Sequence, residues 1–492
     1  MGNVWLAEKK KKKKKKRLFG FIIYDRERSM ESEPVSPTGQ YFNSSVMSVS
    51  IFAVLEFEAP IDDSQFLSLL NNVFLPINPR FSSIMVGDKK GTKKWKRVEV
   101  KLEDHLKVAH FPSGMSPEFY DSCFDDYLST IALEQFPSSR PLWELHVVKY
   151  ATSNAAGNLV FKLHHSLGDG YSLMGALLSC LQRADDPSLP LTFPSLQSNS
   201  KEKGGKSISV LKSVPRVLSG LANTVLDLGL GFLKSNFVED DRTAIRSGED
   251  GVGSRPITIT TLTFSLDQIK QIKAKLGVTI NDVLVGTVFL GTRLYMRAER
   301  QEEGSAASTA LVVLNTRALG GGDKYKTVSE MVSPKVEMRW GNHFSFLNVP
   351  IPKLTPAETE SSSPISFVMK AHRIIKTKKN SAAAFLTGLL LEKMRQLRGS
   401  EATARYIHKT VKNSSMVISN LIGPMEEIAL ANQPIRGLYF ALVGGPEVVG
   451  ITMMSYVGKL RVAIRMEKGF VDPHKFRSCI DNAFHMILEA AN

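Results

Sequence analysis

The chain has 492 residues, of which 43% are hydrophobic and 23% charged, a balance that excludes wholesale disorder and predicts two large or three small domains. No apolar run long enough to span a bilayer is free of charge, which excludes a polytopic membrane protein. The cysteines (Cys123, Cys180 and Cys479) are far apart and form no CxxC pair. A disulfide scaffold, a zinc ribbon and an iron–sulfur site are therefore excluded, and a reducing compartment is expected.

Positive charge is concentrated at the start of the chain. Residues 1–30 carry a net charge of +8 out of the total of +15, chiefly through the run Lys9 to Lys16. Like charges in a block repel one another, so residues 1–33 are predicted to form a disordered basic tail. Three roles remain open for the tail: none at all, attraction to anionic lipid, and nuclear import.

The first predicted lobe covers residues 34–184. Residues 49–57 have the composition of a strand. Residues 143–149 and 158–165 form two further strands, and the short polar stretch between them predicts a hairpin. Residues 171–184 carry apolar side chains at helical spacing and predict the helix that follows.

A linker is expected over residues 185–255, because Pro, Ser, Lys and Gly are frequent near its start and polar residues near its end. Within it, residues 207–234 repeat apolar side chains at steps of three and four, which predicts an amphipathic helix. Asp227 lies inside that helix and would cost ~2.5–3.5 kcal/mol near the centre of a bilayer. Interfacial association is favoured, and a single transmembrane span or packing on the protein remain as alternatives.

The second predicted lobe covers residues 256–492. It starts with a strand over 257–264, followed by a helix over 266–276 for which Ser265 supplies a capping box. Strands and helices then alternate up to a final helix over 473–490. Both lobes are therefore of the α/β class.

One motif carries recognisable chemistry, the sequence His-His-Ser-Leu-Gly-Asp-Gly over residues 164–170. Side chains alternate along a strand, so His164 and His165 are expected to face opposite sides. Histidine is the natural general base near neutral pH, and a carboxylate such as Asp169 can fix the orientation of its ring. A buried structural histidine is the plain alternative. A metal site is disfavoured because no other ligand lies at suitable spacing.

The residues His164, His165, Asp169 and Gly170 resemble the HHxxxDG motif of acyl-CoA-dependent acyltransferases with the chloramphenicol-acetyltransferase-like fold. Three further stretches are similar to the plant branch of the bifunctional wax ester synthase/diacylglycerol acyltransferase family: the PLW motif at 141–143, the ND motif at 281–282 and the SNxxGP stretch at 419–424. The DFGWG motif of soluble plant alcohol acyltransferases is absent. The resemblance extends over residues 34–490.

This resemblance implies a two-lobed α/β fold with an active-site tunnel between the lobes. It implies acyl transfer from a long-chain acyl-CoA to a hydroxyl without a covalent acyl-enzyme. His165 would accept the proton of the alcohol, His164 would support the strand, and Asp169 would orient the turn. Acyl-CoA is a substrate in this scheme, and neither a cofactor nor a metal is expected.

Four residues are assigned to substrate binding through the resemblance: Gly170, Trp143, Asn281 and Asn420. Each of the last three also has a structural explanation. Trp143 suits a core position on a strand, and Asn281 precedes an apolar helix predicted over 283–297, where it would act as the N-cap. Asn420 is equally well explained by a turn.

The expected acceptor is a long-chain fatty alcohol, which gives a wax ester, with diacylglycerol and triacylglycerol synthesis as a lesser activity. The expected partners include a membrane surface and exclude nucleic acid. The expected location is the cytosolic face of the endoplasmic reticulum membrane, with the plasma membrane as the second choice. The alternative function is a catalytically inactive, membrane-associated lipid-binding relative, against which the intact His165 and Asp169 argue.

Overall fold

The computed structural model describes residues 32–87, 92–191, 238–315, 340–354, 363–379 and 383–492. Most of the tail expected over 1–33 and all of the helix expected over 207–234 lie outside these residues, so both stay predictions. The tail was expected to extend to residue 33, but Ser32 and Glu33 already pair with the strand that contains Trp95. The expected end of the tail is therefore wrong.

The strands in the described residues are β1 (Ser32–Pro34), β2 (Ser50–Phe57), β3 (Ser83–Gly87), β4 (Lys93–Arg97), β5 (Leu106–Val108), β6 (Trp143–Val148), β7 (Gly157–His164), β8 (Gln182–Arg183), β9 (Ile257–Ser265), β10 (Thr309–Asn315), β11 (Phe344–Pro350), β12 (Met416–Leu421), β13 (Ile428–Leu430), β14 (Gln433–Val443), β15 (Val449–Tyr456) and β16 (Lys459–Glu467). The helices are α1 (Pro37–Tyr41), α2 (Phe66–Ile77), α3 (Pro117–Leu133), α4 (Gly170–Ser179), α5 (Leu266–Leu276), α6 (Ile280–Glu299), α7 (Ile365–Lys379), α8 (Ala383–Lys412) and α9 (Pro473–Ala491). Short 3-10 turns lie at Pro79–Ser82, Leu102–Asp104, Val252–Ser254 and Gln301–Ser305.

Two large mixed sheets organise the two lobes. The first has seven strands in the order β5-β6-β7-β2-β14-β13-β8, and the second has six in the order β11-β10-β12-β15-β16-β9. A separate three-stranded sheet has the order β1-β4-β3. Each large sheet has its own buried apolar cluster, which confirms the predicted two-lobed α/β fold.

The boundary expected at residue 256 does not divide the two sheets. Strands β13 and β14 lie well inside the expected second lobe, yet they join the first sheet, where Val443 pairs with Ser50. All eight residues of β2 are buried, so both of its edges need strand partners. β7 supplies one partner and β14 the other. The chain therefore crosses from the second lobe back to the first.

The end of the expected linker also belongs to the second lobe. Ile245 and Val252 are buried in the apolar cluster of that lobe. Asp240 accepts hydrogen bonds from the backbone N–H of Thr309 at 2.7 Å and from the hydroxyl of Ser415 at 2.7 Å. These contacts place the start of the second lobe before residue 256.

The hairpin that carries the two histidines forms as predicted. β6 and β7 pair antiparallel, with Trp143 opposite Leu163. β7 ends at His164, one residue before the predicted end, so His165 lies just beyond the strand. Every residue of both strands is buried, because β7 has strand partners on both sides and helices cover the sheet.

Helix α5 begins as predicted, since the hydroxyl of Ser265 accepts a hydrogen bond from the N–H of Gln268. Helix α6 begins earlier than predicted, at Ile280, and its N-cap is Thr279. In the described part of the chain no single helix has the length and hydropathy needed to cross a bilayer. α5 and α6 taken together, with a bend of 100° between them, pass that test by length and composition.

Candidate active site

A largely apolar cavity lies between the two large sheets. The empty space in and before the cavity amounts to about 880 Å³, part of which is open solvent at the mouth. Its walls come from both lobes, because the lining residues belong to β2 and β14 of the first sheet and to β10, β11 and β12 of the second. Aromatic and aliphatic side chains dominate the wall, among them Phe42, Met47, Ile51, Phe344, Phe440 and Leu442.

His165 lines this cavity and is held by its backbone just beyond the end of β7, an interior strand of the first sheet. Its N–H donates a hydrogen bond to the carbonyl oxygen of Val49 at 2.9 Å. Its ring lies 4.5 Å from the ring of Phe42 and 5.5 Å from that of Phe344, measured between centroids. Only 6% of the residue is exposed, so the imidazole faces the cavity from an apolar setting.

Asn342 forms two hydrogen bonds with His165, one to its backbone and one to its ring. The side-chain N–H of Asn342 donates to the carbonyl oxygen of His165 at 2.9 Å, and a carbonyl oxygen can only accept. The amide oxygen of Asn342 therefore faces Nδ1 of His165, also at 2.9 Å. An amide oxygen can only accept as well, so Nδ1 carries the proton and Nε2 is left as the base.

The protonation state of His165 suits a general base. Burial lowers the pKa of His165 below the usual 6.5, because a buried imidazolium loses its hydration. The carboxylate of Asp169 and the hydrogen bond to Asn342 oppose this shift without cancelling it. The ring is consequently neutral near pH 7 and able to accept a proton.

His164 has a different environment and does not line the cavity. Its Nδ1 lies 2.7 Å from the hydroxyl of Ser166 and accepts the N–H of Ser166 at 3.1 Å, while its Nε2 lies 3.2 Å from the hydroxyl of Ser48. Burial lowers the pKa of His164 to about 3, and nearby positive groups add to the effect. A neutral, fully bonded histidine of this kind holds the end of β7 in place.

Asp169 binds backbone groups with both carboxylate oxygens. As the N-cap of α4 it accepts a hydrogen bond from the N–H of Ser172 at 3.0 Å. Its other oxygen accepts the N–H of His343 at 2.9 Å, and its own N–H donates to the carbonyl oxygen of Gly341 at 3.2 Å. Asp169 thus joins the turn after the histidines to the segment that carries Asn342.

Gly170 lines the cavity as the first residue of α4. A Cβ atom at this position would lie 2.9 Å from Cδ1 of Leu421 on β12, closer than side chains normally approach. A larger residue here would require the side chain of Leu421 to shift, so glycine favours the close contact between the lobes beside the cavity. Leu421 itself is part of the opposite wall.

Ser419 and Asn420 lie just before the last residue of β12, and both border the cavity. Side chains alternate along a strand, so Ser419 shares its face with the cavity residues Val417 and Leu421, whereas Asn420 faces the other way. No hydrogen bond of the Ser419 hydroxyl to another described residue is found. Ser419 is thus better placed than Asn420 to present its side chain to a substrate.

Trp143 and Asn281 are not among the residues that line the cavity. Trp143 is fully buried, donates its indole N–H to the carbonyl oxygen of Phe81 at 2.8 Å, and stacks on His105 with centroids 4.1 Å apart. The structure therefore places Trp143 in the core beside β7, as its structural explanation predicts. The carbonyl oxygen of Leu142 accepts the N–H of His164 at 3.0 Å, so the PLW stretch supports the histidine strand.

The N-cap role predicted for Asn281 is wrong, because Asn281 is the second residue of α6. Thr279 is the N-cap and forms a capping box with Asp282. Asp282 also lies 2.7 Å from Nδ1 of His372 on α7. The ND stretch therefore joins two helices of the second lobe, away from the cavity.

Sequence reasoning missed Asn342 and gave no separate role to Ser419. Asn342 lies 177 residues from its partner His165, too far for any spacing rule to connect them. Its local signal is a polar residue directly before a β-rich run, which also describes many loops. Among the described residues no cluster of His, Cys, Asp and Glu has the geometry of a metal site.

Two family models match the chain. Residues 45–284 match the family model described as the wax ester synthase/diacylglycerol acyltransferase catalytic domain, and residues 340–488 match the WS/DGAT C-terminal domain. Wax ester synthase/diacylglycerol acyltransferase 4 of Arabidopsis thaliana is 30% identical over 469 residues, which cover 90% of this chain and 88% of that protein. The protein numbered 7 of the same series is 29% identical over 467 residues, covering 90% and 95%.

Solved structures share the fold at low sequence identity. The wax ester synthase/diacylglycerol acyltransferase from Marinobacter aquaeolei VT8 superposes with a TM-score of 0.56 at 16% identity, covering 93% of this chain and all of that one. The first condensation domain of the CDA synthetase gives a TM-score of 0.52 at 12% identity, covering 90% of each chain. Taken with the matches along the sequence, these findings show that the chain belongs to the wax ester synthase/diacylglycerol acyltransferase family.

Proposed function

We propose that this protein transfers a long-chain acyl group from acyl-CoA to the hydroxyl of a long-chain fatty alcohol, producing a wax ester and free CoA. Diacylglycerol is the proposed lesser acceptor, giving triacylglycerol. The observation that carries the proposal is the neutral His165, oriented by Asn342, at an apolar cavity between the lobes. An apolar cavity suits two lipid chains and keeps out water, which would hydrolyse the thioester.

In the proposed reaction, Nε2 of His165 accepts the hydroxyl proton while the alcohol oxygen attacks the thioester carbonyl carbon. The tetrahedral intermediate then expels the CoA thiolate, which takes the proton back from His165. One ester bond forms, one thioester bond breaks, and the imidazole is regenerated without a covalent acyl-enzyme. Acyl-CoA is a substrate, and the scheme needs no metal or other cofactor.

We infer supporting roles for three neighbours of His165. Asn342 holds the ring in the tautomer with a free Nε2. Asp169 holds the turn against the segment that contains Asn342. Ser419 is proposed to donate its hydroxyl to the oxyanion of the intermediate, since it faces the cavity from the opposite lobe.

The proposed place of action is a membrane surface, specifically the cytosolic face of the endoplasmic reticulum, with the plasma membrane as the second choice. Both substrates are lipids or carry lipid chains, which favours such a surface. We assign no nucleic-acid partner to the basic run Lys9 to Lys16, and attraction to anionic lipid is the role we propose for it.

Purified protein incubated with palmitoyl-CoA and either hexadecanol or diolein tests the proposal. Release of free thiol together with wax ester is the expected result, with less triacylglycerol from diolein. The His165→Ala variant serves as the control for uncatalysed transfer. If neither acceptor yields ester above that control, the inactive lipid-binding alternative replaces the proposed function.

A further inference from the structure

Helix α8 consists of two segments with different surroundings. Gly399 interrupts it with φ 82° and ψ 171°, a backbone conformation that breaks the helix. The second segment, residues 400–412, packs against α1 and the cavity wall: Ala404 and Ile407 are buried there, and Val411 lines the cavity itself. The first segment is more exposed to solvent, although Leu391 still packs against the same apolar cluster.

The first segment presents leucines to solvent. Leu389, Leu390 and Leu397 are 50%, 46% and 82% exposed. The exposed Lys393 lies four residues from both Leu389 and Leu397, and Leu390 lies seven residues before Leu397. These spacings bring the three leucines and Lys393 to one side of the helix. We call Leu389, Leu390 and Leu397 the leucine face. Exposed leucines grouped on one helix are unusual on a soluble surface and mark an interaction site.

Positive side chains lie on and beside the leucine face. Lys393 and Arg398 are exposed on the same segment. Its acidic residue Glu392 is paired with Arg395 at 2.6 Å, and Glu401 beyond the break accepts two hydrogen bonds from Ser45. These carboxylates are therefore already engaged by neighbouring groups.

The preceding helix, α7, adds positive charge close by in the chain. It contains five basic and no acidic residues, and Arg373, Lys376 and Lys379 are exposed. Only residues 380–382 separate Lys379 from the start of α8. The positive charge of α7 therefore precedes the leucine face directly in the chain.

We propose that the leucine face is the element with which this protein docks on an anionic lipid surface. Apolar side chains flanked by basic ones on one helix are the pattern of helices that lie in the membrane interface, where the apolar face enters the acyl region and the cations meet lipid headgroups. The other segment of the same helix forms the cavity wall, so docking here brings the cavity to the membrane. This inference uses the proposed function in taking the substrates to be lipids.

Vesicle co-sedimentation of the full chain tests the docking surface. Wild type is expected to bind phosphatidylcholine vesicles that contain phosphatidylserine. The variant L389Q/L390Q/L397Q is expected to bind the same vesicles with an affinity lower by about tenfold or more. The matched control is L189Q/M425Q, which changes residues that are 46% and 67% exposed elsewhere on the surface. The control is expected to bind like wild type.

A second variant tests the charge. K393Q/R398Q is expected to lose most of the advantage of phosphatidylserine over phosphatidylcholine, and added salt is expected to weaken wild type in the same way. Wild-type binding by L389Q/L390Q/L397Q overturns the inference, as does an equal loss in the L189Q/M425Q control. Complete loss of binding on deletion of residues 207–234, with no loss in the leucine variant, assigns docking to that segment instead.

Activity in solution separates this inference from the proposed function. With decanoyl-CoA and decanol and no vesicles, the leucine variant is expected to make ester at the wild-type rate, because its changes lie on the surface. With hexadecanol held in vesicles its rate is expected to fall in proportion to binding. An enzyme that makes no ester in either assay contradicts the proposed function, while the binding result still decides the docking surface.

Discussion

Asn342→Ala removes the side chain that selects the tautomer of His165. Without it the buried Nδ1–H has no partner, and an unsatisfied buried donor costs ~1–3 kcal/mol. The alternative tautomer or ring orientation avoids this cost, so it becomes the favoured state. Since 1.36 kcal/mol is a factor of ten in rate, kcat is expected to fall about 5- to 150-fold. KM for the alcohol is expected to change little, because Asn342 contacts His165 and is not among the residues that line the cavity.

The pH profile distinguishes this effect from simple destabilisation. The hydrogen bond that the ring of His165 donates to Asn342 raises the pKa of His165 against the larger lowering effect of burial. In wild type kcat/KM is expected to fall when the pH drops to the pKa of His165, because the base becomes protonated. This fall occurs below pH 6.5, the usual pKa of histidine, because burial lowers the pKa of His165. Loss of Asn342 lowers that pKa further, so the acid limb of the profile is expected to move to lower pH.

Asn158→Ala is the matched control, since Asn158 is a buried asparagine of the first lobe that bonds the hydroxyl of Thr152 at 3.3 Å. It is expected to lower stability without changing kcat or the acid limb. The assay is thiol release under saturating palmitoyl-CoA, with thermal melting of each variant. Wild-type kcat in a folded Asn342→Ala protein refutes the assignment of Asn342, and an equal loss in Asn158→Ala attributes the effect to destabilisation.

Three further predictions concern the histidine motif. His165→Ala is expected to lower kcat by ~10²–10⁴-fold in a protein that still folds, and full activity in that folded variant would exclude the general-base role. His164→Gln is expected to reduce activity less than His165→Ala and to make the protein less sensitive to acid. The pKa of His164 is about 3 in the folded protein and about 6.5 in the unfolded chain. The contribution of His164 to the free energy of unfolding is therefore complete above pH 6.5 and is lost as the pH falls towards 3. Melting curves at pH 7 and pH 5 check this, and an identical pH dependence in both proteins contradicts it. Asp169→Asn places an N–H₂ group against a backbone N–H donor and is expected to lower stability by ~1–3 kcal/mol together with kcat, so an unchanged denaturation midpoint would exclude the structural role.

The sequence by itself determined the features that depend on neighbouring residues. Alternating side chains predicted the hairpin of β6 and β7, because the alternation follows from the geometry of a strand. Ser265 predicted the start of α5, because a cap acts within one helical turn. The HHxxxDG residues lie within seven positions of one another, so their turn and the helix after them form from local contacts.

Features that join distant parts of the chain were decided only by the tertiary structure. Periodicity marks a strand but not its partner, so the pairing of β14 with β2 across the lobes was not visible in the sequence. The start of α6 was misplaced because Thr279 and Asn281 are both acceptable caps, and only the packed helix selects one. Asn342 meets His165 because Asp169 ties residues 341–343 to the turn after the histidines. The base was therefore predictable from local pattern, whereas the group that orients it depends on two lobes packing together.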